Sequence, residues 1–170
     1  NNKYKQKIWD LDVLSKRIIA WISNSKLTYE NSDENYRLYF NNTIKKQTNH
    51  LINEIKSSEK LDDKIIGSTA IILVGLSYED NYYLKFGINT LKQLLNSSLD
   101  STNFPKSRNL RQLVFYLKYL IVIRELLKEA QKVIPDFLDE NIFHLGKAYN
   151  LLCSNKQNGL LFNGGFVEKS

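Results

Sequence analysis

The chain has 170 residues, with 24 Lys and Arg against 18 Asp and Glu, for a net charge of +6. Two Pro and seven Gly exclude collagen, a flexible linker protein and a turn-rich β-sandwich. One Cys excludes an internal disulfide, and one Cys with two His argues against a multi-ligand zinc site.

Six segments carry helical periodicity. The first spans about 11–24, with Leu14, Ile18, Trp21 and Ile22 on one face. The second spans about 33–56, with Asp33 as N-cap and Tyr36, Phe40, Ile44, Leu51 and Ile55 as its stripe. The third, about 61–77, is apolar nearly all round and should be central. Its Gly67, Ser68, Ala70 and Gly75 permit close packing. The fourth, about 80–99, has Leu84, Ile88, Leu91 and Leu95 as its stripe. The fifth, about 109–132, repeats Leu113, Leu117, Leu120, Ile121, Arg124 and Leu127 on one side. The sixth follows Pro135, with Asp136 as N-cap, and runs to about Leu152. No segment alternates with period two.

The fold class is therefore all-α. Short links between the third and fourth helices, and between the fifth and sixth, make antiparallel hairpins. Such hairpins build a bundle, an α-solenoid or an α/α toroid. The length suits one domain, read as residues 1–153. Residues 154–170 hold three Gly and read as an exit loop or linker. The start, Asn1 to Lys7, is polar and basic and shows no signal-peptide core, which leaves the compartment open, periplasmic or cytoplasmic. The longest apolar stretch, Ile65 to Leu76, is too short to span a bilayer, so no membrane partner is expected.

The polar link 97–107 between two strong helices is where function is expected. Asp100, Asn103, Lys106, Arg108 and Asn109 fall within ten residues there. Asn, Lys and Arg groups can bind and neutralise a carboxylate. Equally, Asp100, Asn103 and Pro105 suit turns, and Ser107 or Asn109 suits a helix cap. His50 should lie on the surface of the second helix. His144 could be a partly buried, satisfied His or a proton-transfer group. The aromatic residues suit sugar or nucleobase contacts, but Trp21, Tyr36, Phe40, Phe115, Tyr116 and Tyr119 also fit apolar stripes. The dispersed Lys residues, with no Arg-rich run, argue against a nucleic-acid partner.

Several blocks in order resemble one family. They are Trp9-Asp10-Leu11, then Lys16-Arg17-Ile18-Ile19-Ala20-Trp21-Ile22-Ser23, then Phe104-Pro105-Lys106-Ser107-Arg108-Asn109, Ile123-Arg124, and Leu161-Phe162-Asn163-Gly164. This order resembles the N-terminal helical part of bacterial heparinase II/III-family proteins. The family carries an R-(L/I)-I-A-W-I-S block, a D-G-G-H-x-S-R-N loop and an L-F-N-G block. The resemblance implies an incomplete α/α toroid followed by a β-sandwich domain of the same parent protein. It implies a polysaccharide lyase acting on acidic, uronic-acid-containing glycans by β-elimination; separately, the residues lead us to expect no cofactor or metal. Asn103, Lys106, Arg108 and Asn109 would then bind substrate, and Tyr149 and His144 are the candidates for acid–base catalysis. One departure stands out: Pro105 occupies the place of the family's His. The alternative reading is a non-catalytic helical module for binding or scaffolding.

Overall fold

The computed structural model describes residues 7–153, and every regular element among them is helical. A 3-10 turn, Lys7–Trp9, leads into α1 (Leu11–Ser23) and the one-turn α2 (Ser25–Thr28). Then follow α3 (Glu34–Ser57), α4 (Leu61–Ser77), α5 (Asn81–Ser98), α6 (Leu110–Glu129) and α7 (Asp136–Cys153). The six long helices match the six periodic segments. The short α2 and the 3-10 turn carry no periodic signal and were not expected. The exit loop 154–170, with its Leu161–Gly164 block, lies outside the described residues.

Local chemistry sets the helix ends. Asp33 caps α3, accepting from the Tyr36 amide at 2.8 Å. Asp80 caps α5, accepting from the Tyr82 amide at 2.9 Å. Asp136, expected as a cap, is instead the first helical residue of α7. Helices α4 and α6 both end in Schellman-type closures. Asp80 N donates to Gly75 O at 2.9 Å, and Lys132 N donates to Leu127 O at 2.9 Å. The left-handed residues there are Glu79 (φ 52°) and Gln131 (φ 53°), not Gly.

The chain divides into two compact units, Asn1–Thr90 and Leu91–Ser170, with the division inside α5. In the first, α4 packs on α1 and α3. Every residue of α4 from Ile65 to Gly75 is buried. Leu14, Ile18, Ile44, Leu51 and Ile55 share one core with its Ile71. The buried hydroxyls of this helix need nothing from its neighbours. Ser68 Oγ donates to Lys64 O and Thr69 Oγ1 to Ile65 O, each at 2.9 Å. Gly75 lies against Leu84, and Gly87 against Ile72, so α4 and the first half of α5 meet in reverse chain order, as in an antiparallel hairpin.

The aromatic stripe of this unit is wetter than its spacing suggests. Trp21 is 37% exposed and Tyr36 is 40% exposed, and only Phe40 is half-buried beside them. The first turns of α3, Glu34 to Tyr39, are exposed on all sides. His50, expected at the surface, is partly buried, edge-on to the Trp9 ring at 5.5 Å.

In the second unit α6 packs on α7. Leu113, Tyr116, Leu120, Ile123 and Leu127 form the buried face of α6. Steps of three and four residues keep that face on one side. The stripe read from sequence had included Ile121 and Arg124, but Ile121 is exposed. Arg124 instead holds Asp139 of α7 at 2.7 Å and Glu125 at 3.0 Å across the helix surfaces. From the other elements, Leu91, Leu95, Leu99, Leu138 and Leu145 are buried.

Candidate functional site

The link after α5 is a tightly bonded loop with Asp100 at its centre. Asp100 Oδ1 accepts from the Thr102 amide at 2.8 Å, the Thr102 hydroxyl at 2.7 Å and the Phe104 amide at 3.1 Å. Asp100 N donates back to Phe104 O at 2.9 Å, and Leu99 pairs with Pro105 as an isolated antiparallel bridge. The second carboxylate oxygen meets Arg108 Nη2 at 2.7 Å. Donors to the charged form stabilise it. The Thr102 hydroxyl and the Phe104 amide, helped by the Arg108 guanidinium, hold the Asp100 carboxyl down at about 2.

The same network fixes the other loop residues. Asn103 (φ 56°) and Arg108 (φ 55°) are both left-handed, a conformation Asn tolerates and Arg does not prefer. Three contacts hold Arg108 there: its amide donates to Pro105 O, its side chain pairs with Asp100, and its guanidinium lies 5.3 Å from the Phe104 ring centre. Lys106 Nζ donates to the Ser97 carbonyl at 2.8 Å, closing the end of α5. Asn109 caps α6, accepting from the Arg111 amide at 2.9 Å. Three of the four residues expected to bind substrate are therefore engaged in holding the loop. Asn103, the fourth, lines a cavity.

That cavity, of ≈ 610 Å³, is a cleft within the second unit. Asp100, Ser101 and Asn103 form its loop wall. Lys92, Leu95, Asn96 and Leu99 of α5 form a second wall. Asp136, Phe137, Glu140 and Asn141 of α7 form the third. The lining holds three carboxylates, one ammonium, three amides and one aromatic ring. Lys92 Nζ lies 5.8 Å from the Phe137 ring centre. Asn141 is nearly buried, and its amide donates to Phe137 O at 2.6 Å. Such a lining offers hydrogen bonds to hydroxyl groups and a ring to stack on, and it carries an excess of negative charge.

His144 and Tyr149 do not converge. Five residues apart on α7, they point about 140° apart around the helix. Neither lines the cleft, and both are exposed. His144, expected as partly buried or as a proton-transfer group, has the Phe143 ring edge-on at 5.4 Å. It shares a helix face with Phe137, Glu140 and Asn141, one turn further on.

Sequence reasoning missed the cleft residues Lys92, Asn96, Asp136, Phe137, Glu140 and Asn141. A signal was present. Lys92 and Asn96, and Phe137 and Asn141, are i, i+4 pairs beside the apolar stripes of their helices. Among the described residues no group of three or more His, Cys, Asp or Glu could hold a metal ion. No helix there is long and apolar enough to cross a membrane. Compared with protein-family models, curated proteins and solved structures, the chain matches none of them.

Proposed function

We propose that this chain is a helical glycan-binding module whose site is the cleft between the 99–109 loop, α5 and α7. The observation that carries this reading is the cleft lining, where amides and carboxylates share one cavity with the Phe137 ring. Carboxylate and amide groups make paired hydrogen bonds to vicinal hydroxyls, and a ring supplies a face for a sugar to lie on. The resemblance to the heparinase II/III family points to the same ligand class. It also suggests that the helices form part of an α/α toroid in a larger protein.

The charge of the cleft refines the ligand. A uronate would meet Asp136 and Glu140, with Lys92 as the one cation in the lining and Asp100 already paired with Arg108. A neutral or amino-bearing stretch of glycan suits these groups better. Catalysis by this chain alone lacks support, because His144 and Tyr149 diverge and Pro105 stands in place of the family's His. A lyase reaction would draw its acid and base from a β-sandwich region of the parent protein.

Titration calorimetry tests this with cellohexaose, a chitosan hexamer and a heparin-derived hexamer. The neutral or amino-bearing hexamer should bind more tightly than the heparin fragment. Asn96→Ala, at an exposed helix position, should weaken that binding about tenfold, as loss of one buried hydrogen bond does. Tightest binding of the heparin fragment, or indifference to Asn96→Ala, defeats the assignment of the cleft. Absorbance of an unsaturated uronate, followed in the same samples, should stay flat for this chain by itself.

A further inference from the structure

A second cavity lies wholly within the first unit, and nothing in the glycan reading accounts for it. It encloses ≈ 310 Å³, at the lower end of the range for small-molecule sites. Tyr29 follows α2, Asn41 and Phe40 lie on α3, and Tyr78 caps the end of α4. Ile22, Ser25 and Ser77 complete the lining, and no charged side chain takes part in it.

Three polar side chains here form one chain of hydrogen bonds. Tyr78 OH donates to Asn41 Oδ1 at 2.9 Å, and Asn41 Nδ2 donates to Tyr29 OH at 3.1 Å. Counting hydrogens shows what this leaves over. With the amide placed so, the Tyr29 hydroxyl hydrogen is unused. With the amide turned over, the Tyr78 hydroxyl hydrogen is unused instead. Either way one phenolic donor and one amide N–H remain to be satisfied at a half-buried site. Burial, with Tyr29 nearby, pushes the Tyr78 phenol up to about 12, so Tyr78 stays protonated at ordinary pH.

The walls are rigidly supplied. The Tyr29 and Phe40 rings lie 5.6 Å apart at 58°, giving two aromatic faces at an angle. Arg37 steadies Tyr29 by donating to the Tyr29 and Glu30 carbonyls, and its guanidinium lies 5.5 Å from the ring centre. Its fork is thus occupied by the protein's own backbone.

We propose that this pocket binds a small, uncharged ring molecule that presents hydrogen-bond acceptors along one edge. Two surplus donors call for acceptors, aromatic walls call for a ring, and the uncharged lining gives an ion nothing to replace its hydration. A flat heterocycle such as a nucleobase and a saturated pyranose both meet this description.

Saturation-transfer NMR on the full chain separates them, with uridine and methyl glucoside as neutral probes and uridine monophosphate and glucuronate as charged counterparts. At least one neutral probe should bind with a dissociation constant of about 1 to 10 mM, as small fragments do. Uridine binding identifies the flat ring, and methyl glucoside binding identifies the pyranose. The variant that removes the unused phenolic hydrogen, Tyr29→Phe with the amide as placed or Tyr78→Phe with it turned over, should weaken the binding about tenfold, and the other should weaken it less. Loss in one variant, with native circular dichroism in both, marks the phenol that carries the surplus hydrogen. The proposal is overturned if neither neutral probe binds at about 10 mM. It is equally overturned if the charged counterparts bind more tightly, or if both phenylalanine variants bind as the parent does.

Discussion

Gly75→Ala should destabilise the protein by about 2 kcal/mol, although alanine is the better helix former by about 1 kcal/mol. A Cβ at this position would stand 2.5 Å from Leu84 N and 2.8 Å from Leu84 Cα. Those are backbone atoms, so no rotamer change relieves the clash, and α4 must move off α5. The overpacking cost of about 1–3 kcal/mol, raised by an unyielding backbone, exceeds the gain in propensity. Gly146 of α7 is the control. A Cβ there meets nothing within 4 Å, so Gly146→Ala should stabilise by about 0.5–1 kcal/mol. Urea unfolding of both variants checks the pair. Shifts of the same sign would show that propensity, not the close approach of two helices, governs these positions.

Asp100→Asn should lower the melting temperature by a few degrees at pH 7, and the deficit should vanish in acid. The Asp100 carboxyl is held at about 2 in the folded chain, against about 3.9 when unfolded. Because the folded value is depressed, the carboxylate contributes stability above pH 4. That contribution is lost as the pH falls from about 4 to about 2, where the parent loses the same charge the variant lacks. Thermal melts of both proteins across that range give the test, and a deficit that persists at pH 2 would place its cause elsewhere. Arg108→Gly offers a further comparison. It removes the ion pair to Asp100 and also relieves a left-handed backbone that glycine adopts freely. It should therefore cost less than Arg108→Ala, which loses the pair and keeps the strained conformation.

The helices were legible in the sequence because each long one buries a single face, and a period near 3.6 survives in the order of residues. For α4 both ends, Leu61 and Ser77, agree with the reading. For α6 the reading ran on to residue 132, whereas the helix stops at Glu129. The usual sign of such a stop is glycine, and here Gln131 takes the left-handed position instead. The loop after α5 was legible in kind. Asp100 and Asn103 do form turns, and Asn109 does cap α6. What the order of residues could not reveal was which charges find each other. The order of residues offers Arg108 and Lys106 as binders of a substrate carboxylate, whereas folding engages them with Asp100 and the Ser97 carbonyl. The cleft was illegible for the same reason, because its walls come from three segments that only folding brings together.

The self-sufficiency of α4 bears on how the protein breathes. Its side-chain hydroxyls bond within the helix, and its residues from 65 to 75 are buried on every side. No partial opening can expose those amides without dismantling the packing of α1 and α3 around them. Their hydrogen exchange should therefore report the full unfolding of the first unit, while the amides of 36–39 exchange through local fraying. A measurement of exchange against denaturant would show the two groups converging only when the unit unfolds as a whole.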